Sequence, residues 1–113
     1  MPDRIPDNWR TAVVAILKGG HSDRIEVCLR AWADFQSLFS AAFSYEIYDA
    51  FILALKDPEL LGKRVYGMKP DGETYEFIFT YQRKQVYGKV CLTKDQRLVV
   101  IFSAHRPLKG ETL

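Results

Sequence analysis

The hydrophobic residues of this chain change period once, near Lys63, from helical spacing to the alternation of strands. Before that point, Trp9, Ala12, Val13, Ile16 and Leu17 recur on one helical face after Asp7, an N-cap residue, and Gly19-Gly20 ends the pattern. A second helix is predicted from Ser22 or Asp23, because Asp23 and Glu26 have the spacing of a capping box. Ile25, Cys28, Leu29, Trp32, Phe35, Phe39 and Phe43 would then form its apolar stripe. A third helix is predicted over 44–56 and ends at Asp57-Pro58, since the residue before a proline disfavours helix.

After the change, Arg64 to Met68 reads as a short strand and Lys69-Pro70-Asp71-Gly72 as a turn. Thr74 to Tyr81 alternates: Tyr75, Phe77, Phe79 and Tyr81 share one face, and Thr74, Glu76, Ile78 and Thr80 the other. Gln85 to Leu92 and Arg97 to Ser103 are the next strands. Short connections favour antiparallel neighbours, but the turns at Arg83-Lys84 and Lys94-Asp95 lack the glycine of tight hairpins, so their register stays open. The expected fold class is α+β over a single domain, 1–113. Its N-terminal helices (1–61) pack on one face of a C-terminal antiparallel sheet of three to four strands (62–113).

With 113 residues, 48% of them hydrophobic, the chain is long enough to bury a core without a metal or disulfide staple and too apolar to be disordered. Cys28 and Cys91 stand alone within apolar runs, as in a reduced cytoplasmic protein, and two Cys with two His at these spacings assemble no zinc site. No apolar run approaches a membrane span, and Met-Pro-Asp-Arg-Ile-Pro has no signal-peptide core. No cofactor, metal or membrane partner is expected. The net charge of +2 hides an uneven division. Residues 1–61 hold six basic and nine acidic residues, a net −3, and residues 62–113 hold ten and five, a net +5. That asymmetry points to an anionic partner for the second half, with solubilising charges along exposed strands as the ordinary alternative.

The segment Gln85-Val86-Tyr87-Gly88-Lys89-Val90, followed by Leu98-Val99-Val100-Ile101-Phe102-Ser103, resembles the C-terminal strands of MqsR-type toxins, within the wider RelE-like family of small bacterial ribonuclease toxins. The order of helices before strands is similar as well. The resemblance implies a RelE-like fold and a metal-independent endoribonuclease that cleaves mRNA. RNA and a cognate antitoxin would be its partners, and the ribosome a further one. It implies that Tyr87 and Lys89 lie at the active site, together with a basic residue after the last strand. His105 and Arg106 occupy that place here, where the family pattern has a lysine.

Metal-free RNA cleavage needs a base for the 2′-OH proton, an acid for the leaving 5′-oxygen and cations around the phosphorane. His105 offers proton transfer and Arg106 a bidentate phosphate clamp. His21 precedes a helix start, where anions bind; an exposed loop residue is its plain alternative. Arg83, Tyr81 and Tyr75 share parity and could together stack bases and hold phosphates, unless the aromatic face is the core. Lys63 and Arg64 are placed for phosphate contact, or are simply a charged strand start. A second function class stays open: a non-catalytic protein-binding module, such as an immunity or antitoxin-like protein, using the same basic and aromatic surface.

Overall fold

The computed structural model describes residues 2–41, 43 and 45–108. Nine elements follow one another along the chain: β1 (Asp3–Arg4), α1 (Asp7–Gly19), β2 (Ile25–Val27), α2 (Leu29–Leu38), α3 (Glu46–Lys56), β3 (Leu61–Val65), β4 (Gly72–Tyr81), β5 (Lys84–Thr93) and β6 (Val99–His105). The fold is α+β. Its sheet has six strands in the order β1-β3-β4-β5-β6-β2. Every neighbouring pair is antiparallel except β2 with β6, which is parallel. The expectation of a purely antiparallel sheet of three to four strands is corrected in both respects. The segment 1–61 is not purely helical either, because it supplies both edge strands.

The second predicted helix is where the reading departs most. Ile25–Val27 is a strand, and the helix begins only at Leu29. The stripe from Ile25 to Phe39 fits a helix, but Ile25-Glu26-Val27 also alternates and is β-branched at both ends. The open edge of β6 decides between the two. Ile25 pairs with Val99 and Val27 with Ile101, and Cys28 N–H donates to the Ile101 carbonyl at 3.0 Å. Leu29, expected on the buried stripe, is 87% exposed.

The other helices form where expected. Asp7 is the first residue of α1 rather than its cap, and its carboxylate suits the positive end of the helix dipole. Gly20 closes α1 at φ +66°, a left-handed conformation open to glycine, and its N–H reaches Ile16 and Leu17 carbonyls. α3 is described from Glu46; Ser44, where the sequence places its start, lies outside the described residues. Buried Arg10 donates to the Leu55 and Asp57 carbonyls, each at 2.9 Å, and so satisfies acceptors that the end of α3 leaves open.

The helices cover one face of the sheet. Trp9 packs edge-on against Tyr75 at 4.9 Å, and its indole N–H donates to the Glu73 carbonyl. Phe51 meets Phe77 and Phe79 at 5.9 and 5.1 Å. Phe39 meets Tyr81 at 5.2 Å. Gly88 makes room for this layer, because a Cβ there would stand 2.6 Å from the Phe51 ring. Toward one end, the opposite face is buried too. Thr74, Cys91 and Val100 are covered there, Cys91 Sγ donates to the Pro70 carbonyl at 3.8 Å, and Lys94 N–H donates to the Asp71 carbonyl. The Lys69-Pro70 peptide in this connection is cis.

The register left open by the sequence is set by a two-residue hairpin. Tyr81 pairs with Lys84, and Gln82 and Arg83 between them take φ of +48° and +68°. Positive φ at both central positions is the mirror-image turn whose twist matches the strands, and non-glycine residues adopt it at a cost. The double substitution Gln82→Asn, Arg83→Gly should therefore stabilise the fold by about 1 kcal/mol, an upward melting shift of roughly 4 °C. An unchanged or lower melting temperature would contradict this account of the turn.

Candidate active site on the sheet face away from the helices

Strand alternation sends Phe77, Phe79, Val86, Val90 and Ile101 toward the helices, and it sends their neighbours the other way. Directly opposed residues on that other face form a row across four strands, Lys63 to Glu76 to Lys89 to Ser103. The next row reads Ile78 to Tyr87 to His105. Neighbours in a row have Cβ atoms about 5 Å apart, so Glu76 stands between Lys63 and Lys89 in its row, next to the row of Tyr87 and His105. A bulge between Lys89 and Val90 locally shifts the β5–β6 register next to these residues, as bulges often do beside functional sites.

The polar contacts tie the cluster together. The Tyr87 hydroxyl donates to Glu76 Oε2 at 2.5 Å. The Tyr87 ring stacks on the His105 imidazole, with centroids 5.0 Å apart and planes 20° from parallel. His105 Nδ1 is 2.8 Å from the Arg106 carbonyl. A carbonyl only accepts, so His105 Nδ1 is the donor in this contact. Tyr87 thereby links a carboxylate and an imidazole.

Of the sequence-derived candidates, Tyr87, Lys89, His105 and Lys63 are brought to this face. Arg106 follows directly and is exposed just past the end of β6. Five others are not brought here, His21 among them. Tyr75 lies on the helix-covered face, and burial, then the nearby Glu73 carboxylate, pushes its phenol above the usual range. Tyr81 is on the same covered side, raised first by burial and then by Glu46. Arg64 pairs opposite Tyr75 and so faces with it, 4.8 Å from the Tyr66 ring and 3.8 Å from Glu73. Arg83 is at the hairpin tip. The parity of Tyr75, Tyr81 and Arg83 marks the core side, because Trp9, Phe35 and Phe39 cover it.

His21 is exposed between α1 and β2, three residues before Arg24, whose carbonyl bonds Val99 at the start of β6. His105 ends the same strand, which puts the two histidines on the order of 20 Å apart along it. They share no site.

Glu76 is the member of this cluster that the sequence reading did not single out. Its signal was present, since alternation put it opposite the aromatic face and beside the strand carrying Tyr87 and Lys89. Among the described residues no three His, Cys, Asp or Glu side chains converge to hold a metal ion, and no helix is long and apolar enough to cross a membrane. Compared with family models, curated proteins and solved structures, the chain has no significant match.

Proposed function

We propose that this chain is a metal-independent endoribonuclease toxin that cleaves mRNA and is neutralised by a cognate antitoxin. The observation that carries the reading is the Glu76–Tyr87–His105 cluster beside Lys63 and Lys89 on the sheet face away from the helices, where Tyr87 is itself 7% exposed. In this reading the Glu76 carboxylate takes the proton of the attacking 2′-OH, and protonated His105 gives one to the leaving 5′-oxygen. The 2′-oxygen–phosphorus bond forms as the phosphorus–5′-oxygen bond breaks. The products are a 2′,3′-cyclic phosphate and a 5′-hydroxyl. Lys63 and Lys89 offset the charge of the phosphorane, and Tyr87 positions both proton-transfer groups. A basic sheet half suits a polyanion, and the strands that carry the cluster are those that resemble MqsR-type toxins.

The test is expression of the intact chain without a partner, combined with digestion of RNA in the presence of a chelator. Growth arrest relieved by His105→Ala, with 2′,3′-cyclic phosphate ends in the digest, is the expected result. A folded wild-type chain that neither arrests growth nor yields such ends overturns the reading and leaves the protein-binding module in its place.

A further inference from the structure

A groove of about 830 Å³ opens past the end of the sheet, between α2 and the ends of β5 and β6. Ser37 and Leu38 of α2 form one wall, and Lys84, Gln85, His105 and Arg106 the other. His105 therefore borders both the groove and the reacting cluster. Lys84 Nζ donates to the Leu38 carbonyl at 2.5 Å and lies 5.5 Å from the Phe39 ring, so its charge is held at the rim rather than left to wander. The Arg106 carbonyl is occupied by His105 Nδ1, which anchors the backbone while the exposed side chain makes no ion pair among the described residues. Asp34 also borders the groove, 4.0 Å from Arg30. Gln85 adds both donors and an acceptor, the groups that read the edge of an unpaired base.

We infer that this groove is a subsite for the nucleotide adjoining the scissile phosphate, with Arg106 and Lys84 holding the next phosphodiester. It rests on the ribonuclease reading and narrows the substrate class to single-stranded RNA longer than a dinucleotide. Two rim cations beside a shared histidine suit a ligand that repeats its negative charge one residue further along, as a nucleic-acid strand does. Arg106 then acts in binding, one step removed from the reacting phosphate.

The experiment compares cleavage of a dinucleotide and a hexanucleotide RNA, in chelator, by the wild type and by Arg106→Gln and Lys84→Gln. The wild type should prefer the hexanucleotide, and each variant should lower that preference about tenfold through KM, with kcat on the hexanucleotide retained. Arg106 is exposed, so its variant keeps the test decisive if Lys84→Gln fails to fold. A hexamer advantage absent from the wild type, or unchanged in Arg106→Gln, overturns the subsite and leaves the cleavage reading standing. Failure of the wild type to cleave either RNA overturns the cleavage reading and the subsite with it.

Discussion

Glu76→Gln and His105→Ala should each lower the rate of RNA cleavage by about 10²- to 10⁴-fold, the usual worth of a positioned acid or base. Glu76→Gln keeps the size of the side chain and removes only its ability to take a proton, so a matching loss from that variant separates proton transfer from packing. Tyr87→Phe removes the hydroxyl that bonds Glu76 but keeps the ring stacked on His105, so it should cost less than either. Wild-type rates in both variants would remove these residues from the proton transfers.

The largest expected effect on stability is at Phe51. It is fully buried and packs on Phe77, Phe79 and the bare backbone of Gly88. Phe51→Ala should cost about 4 kcal/mol, against a total of roughly 5–15 for a domain of ordinary stability, and lower the melting temperature by roughly 15 °C. Gly88→Ala alone should also destabilise, since its Cβ would meet Phe51 Cε1 at 2.6 Å and Phe77 Cε2 at 3.2 Å. Combined with Phe51→Ala, however, the added methyl enters vacated space. The double variant should then be at least about 1 kcal/mol more stable than the sum of the single effects predicts. Strict additivity in chemical denaturation would show that Gly88 is not held small by Phe51. Because Gly88 separates Tyr87 from Lys89, this contact also fixes how the two are presented on the opposite face.

The alternation of β4 was legible residue by residue, and so was the order of helices before the long strands. The same alternation placed Glu76 away from Phe77 and Phe79 but did not say which face the helices would cover. Tyr75 and Tyr81 therefore looked available for stacking bases, although Trp9, Phe35 and Phe39 pack against them. Ile25–Val27 shows the other limit. Three residues carry too little pattern to separate strand from helix, and their partner, Val99 to Ile101, lies more than seventy positions away. The Gln82-Arg83 turn hid its register because neither residue is one that ordinarily marks a left-handed backbone.

Taken alone, the sequence determined the α+β class, the long strands, the two faces of β4, and the presence of Tyr87, Lys89 and His105 in a basic half. Those follow from local backbone geometry, in which the side-chain period is the same wherever the segment ends up. Tertiary structure alone decided which face the helices cover, how both edges are completed, and that Glu76 joins Tyr87 and His105. Each of these depends on contacts between segments distant in sequence, where the burial of one element is settled by what another leaves uncovered.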